Sequence, residues 1–349
     1  MDMDDWNLAD TSAVILGAGF SAAATDGRMP LMGNFFDRLD KAEAPLLYEY
    51  VCSVDCDVKK ANIESVLLNL DQIRTSPASV LKGWGEKWKA NLPQLQRELE
   101  RYVLDRIKAG LTLDDDNWAI GVLADCGVNT AVISMNYDNI AERVLSYKAH
   151  KSTPRLPCPH CKMVRLLNNS CNCSFRQEMT DRDWRGALIK PHGSIAWKRC
   201  TNDGCCSYEC LVARADCLPF EPCQCPNCCE DCSPAIVMPS MGKHLEDLPE
   251  IGVMWQAARS AIADAESLLI FGFSMPTSDE LLTQMIRSTI HQNNKLRRVA
   301  VIDLEPDVVL DRFKRCLPTK HSVTTSTFKV VRGERPDWLA AMDDAIGKH

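Results

Sequence analysis

A series of short apolar runs sets the frame for this chain. They open at Ala13 (AVIL), Thr130 (TAVIS), Ala187 (ALIK), Ala235 (AIVMPS), Ser267 (SLLIF) and Arg298 (RVAVID). Each is rich in aliphatic and β-branched side chains and too short for a helix, so each reads as a strand with both faces buried. Each ends in a polar or glycine-containing turn, and helical stretches separate most of them. After the run at Ser267, Thr277-Ser278-Asp279-Glu280 has the form of a capping box, and Leu281, Leu282, Met285 and Ile286 follow on one helical face. Strands alternating with helices predict an α/β fold built on a doubly wound parallel sheet. Such sheets bind ligands beyond the carboxyl ends of their strands. That places Gly17 to Ser21, Asn136-Tyr137-Asp138, His192-Gly193-Ser194, Gly272-Phe273-Ser274 and Asp303 along one edge.

The stretch after the first run has a different period. MPLMGNFFDRLDKAEAPLLYEYV reads as helical on both sides of Pro45, including the region around Asp37. Ile63, Val66, Leu67, Leu70 and Ile73 recur at helical spacing, as do Leu92, Leu95, Leu99, Tyr102, Val103 and Ile107. These stripes are core-packing faces of a helical block inserted after the first strand–turn–helix unit. One domain over residues 1–349 is expected. Its Rossmann-like core comprises 11–33, 115–157, 185–198 and 233–349, with a helical insertion at 34–114 and zinc-binding modules at 158–173 and 200–232.

Cysteine is the compositional outlier: of 18 in the chain, 14 fall between positions 158 and 232. The first ten residues are acidic and polar, so no signal peptide is expected, and no apolar run approaches the roughly 20 residues that span a bilayer. A cytosolic chain is expected, and in a reducing compartment clustered thiols point to metal rather than disulfides. Cys158, Cys161, Cys171 and Cys173 form two close pairs suited to tetrahedral zinc. In the denser second cluster, Cys225-x-x-Cys228 makes one half-site and Cys200 with Cys205 the natural other half. Cys229-x-x-Cys232 overlaps it and competes, and the number of thiols leaves room for a further ion. All these ligands are thiolates with no open position, which favours structural over catalytic zinc. Residues 155–232 carry ten basic and nine acidic side chains, and the whole chain has a formal net charge of -7. Neither describes a nucleic-acid-binding surface.

Gly17-Ala18-Gly19-Phe20-Ser21-Ala22 fits G-x-G-x-x-A, a tight turn opening a helix, where glycines admit a pyrophosphate to the helix N-terminus. An ordinary strand-to-helix turn gives the same letters. The ordered set is more specific. GAGFS, SMNYD, KPHGS beside a cysteine module, and GFSMPTSD together resemble the sirtuin superfamily, the silent information regulator 2-like proteins, from Ala13 to about Asp307. The chain looks closest to the bacterial sirtuin-like branch associated with antiphage defence. It lacks the Gly-Ile-Pro-Asp-Phe-Arg and Phe-Gly-Glu segments of the protein-deacetylating branch, and GFSMPTSD stands where that branch has Gly-Thr-Ser.

The resemblance implies a site for NAD+. The turn of Gly17, Ala18, Gly19, Phe20 and Ser21 would lie under the pyrophosphate with Gly272, Phe273 and Ser274. Asp303 would hold the adenosine ribose. Asn136 would orient a water or ribose hydroxyl, His192 would act as general base, and Asp138 would steady positive charge or hold the nicotinamide-side loop. The expected reaction is hydrolysis of NAD+ to ADP-ribose and nicotinamide by a defence effector. Such an effector would be a homo-oligomer or a companion of a defence protein such as a helicase-type ATPase, with no nucleic acid or membrane contact. A protein-lysine deacylase and a non-catalytic NAD- or ADP-ribose-binding scaffold are the alternatives.

Overall fold

A computed structural model describes residues 11–77, 80–114, 116–126, 130–151, 187–200, 202, 204–205, 211–213, 224–225, 228–236, 249–276, 279–331 and 334–339. In chain order the elements are β1 (Ala13–Leu16), α1 (Ala18–Ala24), α2 (Pro45–Val54), α3 (Ile63–Thr75), α4 (Trp84–Ala90), α5 (Leu92–Gly110), α6 (Trp118–Asp125), β2 (Ala131–Ser134), α7 (Ile140–Lys151), β3 (Leu188–Ile189), β4 (Gly193–Cys200), β5 (Leu211–Ala213), β6 (Cys232–Ile236), α8 (Pro249–Asp264), β7 (Ser267–Phe271), α9 (Glu280–Gln292), β8 (Arg298–Asp303), α10 (Pro306–Lys314) and β9 (Thr324–Lys329). Short 3-10 turns lie at Met32–Asn34 and Val58–Lys60.

Six strands form one sheet in the order β3-β2-β1-β7-β8-β9, parallel throughout. Counted along the chain within this sheet, the order is 3-2-1-4-5-6, that of a doubly wound dinucleotide-binding fold. Right-handed crossovers that reverse direction at β1 send their helices to opposite faces. The sheet is therefore covered twice, and β1, β2 and β7 are buried along their whole length. The reversal leaves a crevice between the carboxyl ends of β1 and β7.

The first crossover carries the helical block. The stripes of α3 and α5 are buried as their spacing predicts, with Leu92 half-exposed at the start of α5. Ahead of Pro45 the expected helix is only a 3-10 turn followed by further turns. Proline stands at the first turn of α2, where its missing N–H costs nothing, and the helix begins there. Asp37 lies in a turn, not a helix, and its carboxylate takes the Arg106 guanidinium at 2.7 Å.

Two further strand expectations are corrected. Ala235 and Ile236, the start of the run at Ala235, end β6, which pairs antiparallel with β4 in a separate sheet of order β5-β4-β6; positions 237–240 lie outside the described residues. An apolar run records burial and is silent on which sheet it joins. β9 was not anticipated, because Thr324-Thr325-Ser326-Thr327 is polar. It closes the sheet at an edge, where half-exposed threonines suit a strand paired on one side.

Candidate functional site

The β1–α1 turn and the end of β7 touch through glycine backbones. The Gly17 amide donates to the Phe271 carbonyl at 3.0 Å and the Gly19 amide to the Gly272 carbonyl at 3.0 Å. A Cβ on Gly17 would lie 2.3 Å from the Gly272 oxygen, and one on Gly19 would lie 2.6 Å from the Gly272 Cα. Gly272 sits at φ 63°, and a Cβ there would meet the Phe20 nitrogen at 2.3 Å. These glycines are needed for the two turns to touch, before any ligand is considered. Phe20 and Phe273 are core side chains, Phe20 packing edge-on to Phe271 at 5.2 Å. Only backbone from these two positions can face a ligand. Ala18 and Ser274 are half-buried at the rim, and the Ser274 carbonyl accepts from Arg312.

Next to this crevice, the end of β2 meets α1. Asn136 Nδ2 donates to the Gly17 carbonyl and to Ser21 Oγ, both at 2.8 Å. Ser21 in turn donates to Asp138 Oδ2 at 2.6 Å, and Asp138 Oδ1 accepts the Ile140 amide at 3.0 Å, capping α7. The chain Asn136–Ser21–Asp138 is thus a buried relay between two crossover turns. The Ser21 hydroxyl, expected to face phosphate, spends its proton on Asp138. Burial pushes the Asp138 carboxyl above its ordinary value, while Lys190 and the Ser21 hydrogen bond pull against that rise.

Lys190 and Glu142 were not anticipated as part of the site. Lys190 is fully buried at the end of β3, with Nζ 2.8 Å from Glu142 Oε1 and 3.2 Å from Ser194 Oγ, and it also donates to the Asp138 carbonyl. Ser194 donates to the same Glu142 oxygen at 2.6 Å. Lys190 stands inside KPHGS, so its place at a strand end was legible. Glu142 lies one turn into α7 and gave no signal.

His192 follows two residues later, between β3 and β4, and is buried. Nδ1 lies 3.0 Å from the Met135 carbonyl oxygen, and Nε2 lies 2.5 Å from Asp279 Oδ2. The Tyr137 ring stands 5.9 Å from the imidazole. Gly193, at φ 76°, turns the chain into β4, and Trp255 Nε1 secures the preceding Pro191 carbonyl at 3.0 Å. Asp279 was expected only as part of a capping box. It makes no side-chain cap to α9, and its carboxylate goes to His192 instead. Leu281, expected on the buried face of that helix, is exposed, while Leu282 and Ile286 are buried. Thr277 and Ser278 lie outside the described residues.

Asp303 ends β8, half-buried, one strand beyond Gly272, whose amide donates to the Ile302 carbonyl at 2.9 Å. Its Oδ1 accepts the Glu305 amide at 3.1 Å, and burial pushes its carboxyl above the ordinary value.

The second cysteine cluster folds into one four-sulfur group. Cys200, Cys205, Cys225 and Cys228 bring their Sγ atoms within 4.8 Å of one another. Cys200 and Cys228 are 3.5 Å apart, and Cys205 and Cys225 are 3.7 Å apart. Tetrahedral zinc with Zn–S bonds of about 2.3 Å spaces its sulfurs about 3.8 Å apart, so the group fits zinc. The Cys229 amide donates to the Cys225 carbonyl at 2.9 Å, shaping the Cys-x-x-Cys turn, and Cys229 itself is exposed. The competition between overlapping half-sites is thereby decided for Cys225 and Cys228. Cys158, Cys161, Cys171 and Cys173 lie outside the described residues.

Among the described residues no helix is long and apolar enough to cross a membrane. No protein family model matches the chain, and no curated protein does. Among solved structures it is similar to a Sir2 homologue–NAD complex, at 13% identity and a TM-score of 0.41, covering 98% of this chain and 91% of that one. It is also similar to Sir2 bound to acetylated peptide, at 11% identity and a TM-score of 0.40, covering 100% and 98%. At that level the likeness carries no weight for the chemistry, which rests on the side chains described above.

Proposed function

We propose that this chain is an NAD+ glycohydrolase, cleaving NAD+ into ADP-ribose and nicotinamide. The observation that carries the reading is the row of groups along the carboxyl edge of a 3-2-1-4-5-6 sheet. Asn136, Asp138 and His192 stand at the ends of β2 and β3, glycine turns meet between β1 and β7, and Asp303 ends β8. From β3 to β8 is four inter-strand steps, about 19 Å at roughly 4.8 Å each, which suits an extended dinucleotide lying across the crevice.

In this reading the adenosine ribose lies on Asp303, the pyrophosphate at the touching turns, and the nicotinamide ribose between Asn136 and His192. Breaking the nicotinamide–ribose bond builds positive charge on the sugar, as in other glycosidic cleavages. Asp138 supplies nearby negative charge when ionised. Asn136, held by the Gly17 carbonyl and Ser21, presents its amide oxygen to a water or ribose hydroxyl. His192 takes the proton released as that oxygen attacks. Zinc on the four thiolates would be structural. The sequence resemblance to the defence branch extends the proposal to an effector that depletes NAD+ during phage infection, as an oligomer or beside a partner protein.

Nicotinamide release by the purified full chain tests the chemistry. His192→Ala and Asn136→Ala are each expected to cut it by roughly 10²–10⁴-fold, the usual worth of a positioned general base, with the circular dichroism spectrum retained. Unchanged cleavage in both variants would sink the mechanism. Cleavage that requires an acetyl-lysine peptide and yields O-acetyl-ADP-ribose would give the site to a deacylase.

A further inference from the structure

His192 is poorly placed to accept a proton as it stands, because both ring nitrogens are engaged. The Met135 carbonyl can only accept, so Nδ1 at 3.0 Å carries a hydrogen and donates. Nε2 is then the one nitrogen that can take a proton from a substrate, and the Asp279 carboxylate is 2.5 Å away from it. That carboxylate oxygen stands where a substrate hydroxyl would have to stand to reach Nε2. An imidazole covered in this way cannot receive a proton from the substrate.

The carboxylate reaches His192 from a strained turn. The chain leaves β7 through Gly272 at φ 63° and passes Met275, a non-glycine residue at φ 54°. Side chains with a Cβ avoid that region. An Asp at a helix start ordinarily caps its own helix, and Asp279 forgoes that bond to α9. It is buried, with 2% of its surface exposed. Its charge also bears on Tyr137, whose hydroxyl is pushed up by burial and by the Asp279 carboxylate. Lys190 gives its hydrogens to Glu142 Oε1, Ser194 Oγ and the Asp138 carbonyl, a network separate from the His192–Asp279 contact.

We propose that Asp279 is a latch on His192: its carboxylate closes the proton-accepting nitrogen, and a hydroxyl of the nucleotide ribose must take its place before the base can act. This rests on the reading of His192 as general base. On exchange the Asp279 carboxylate swings off Nε2, the ribose hydroxyl takes its position, and Nε2 accepts the hydroxyl proton. The chain in this state is a resting form, and its basal turnover is set by how often the latch opens.

Two variants of the full chain, Asp279→Ala and the closer mimic Asp279→Asn, test this with two readouts. The first is carbethoxylation of His192 by diethyl pyrocarbonate, mapped by mass spectrometry, since the reagent attacks only an imidazole lone pair. Labelling is expected to be slow in the wild type and about tenfold faster in both variants, with labelling of His321 unchanged as an internal control. The second is nicotinamide release without any activator. It is expected to rise about tenfold in Asp279→Ala, the gain when the competent fraction goes from roughly a tenth to nearly all. Equal labelling of wild type and variants overturns the latch. So does a loss of cleavage in Asp279→Ala as deep as that in His192→Ala, which would make Asp279 a partner in the chemistry. Faster labelling with no nicotinamide released by any form leaves the latch standing and removes the glycohydrolase reading instead. Should Asp279→Ala fail to fold, Asp279→Asn carries both readouts.

Discussion

Lys190 is fully buried, and a buried ammonium is tolerable only because its partners surround it. Glu142 Oε1 at 2.8 Å supplies the opposite charge, and Ser194 and the Asp138 carbonyl take the remaining hydrogens. Replacing such a pair by apolar groups is often neutral, whereas removing one partner strands the other charge. Lys190→Met is therefore expected to destabilise the fold by about 3–5 kcal/mol, a large share of the 5–15 kcal/mol typical of a domain. Lys190→Met combined with Glu142→Leu should recover most of that loss. Urea unfolding midpoints of the two variants make the comparison, and equal destabilisation by both would refute it. The same ammonium moderates the burial-raised carboxyl of Asp138, so a structural pair also tunes a candidate catalytic group.

At the scale of elements, two contacts decide whether the site exists. One is the meeting of the β1–α1 turn with the end of β7. Gly272→Ala must put a Cβ 2.3 Å from the Phe20 nitrogen in a left-handed conformation. Gly27 shares the positive φ, at 79°, but faces open space. Conformational strain alone costs about 1–2 kcal/mol, and overpacking adds about 1–3 kcal/mol. Gly272→Ala is expected to lose roughly 2–5 kcal/mol in chemical unfolding, and Gly27→Ala only the strain part. Equal losses would mean that the turns do not need to touch. The other contact is the four-thiol group. β4 begins directly after His192 and ends on Cys200, so a metal held by the four thiols would anchor the far end of the strand that follows the histidine. Cys228→Ser should remove one equivalent of zinc from the full chain, read by a colorimetric chelator. Chelation should strip hydrogen-exchange protection from β4 and β6 while β1, β7 and β8 keep theirs, because metal binding here is folding energy. Undiminished zinc in Cys228→Ser would count against the assignment.

The whole molecule is a sheet whose order reverses at β1, and the reversal puts the candidate reacting groups and Asp303 at opposite ends of one crevice. A ligand held at both ends predicts a separation of effects. In a His192→Ala background, which stops turnover, Asp303→Ala is expected to weaken NAD+ binding by roughly 10–100-fold, the worth of one or two hydrogen bonds to a charged group at about 1.5–3 kcal/mol. His192→Ala alone should leave the affinity nearly unchanged. Isothermal titration reads both. Asp303→Ala binding NAD+ as tightly as its parent would detach β8 from the nucleotide.

Periodicity and turn chemistry are local, and local features were legible. The apolar runs gave the buried strands, the stripes of α3 and α5 gave the helical block, and the spacing of Cys200, Cys205, Cys225 and Cys228 gave the sulfur group now seen closed. The motif ends gave Asn136, Asp138 and His192 as neighbours along one edge, because strand ends in a parallel sheet must line up. What the letters could not carry was which long-range partner wins a group that has several local uses. Asp279 has the spelling of a helix cap and serves His192; Ser21 has the spelling of a phosphate donor and serves Asp138; the glycines of the first turn make room for Gly272. The run at Ala235 shows the same limit for a strand, since its apolar letters predict a strand and do not say which strand it pairs with. Hydrophobic pattern is additive along the chain and can be read residue by residue. The assignment of a buried polar contact or a backbone approach depends on groups far apart in the chain, and only the packed sheet brings them within bonding distance.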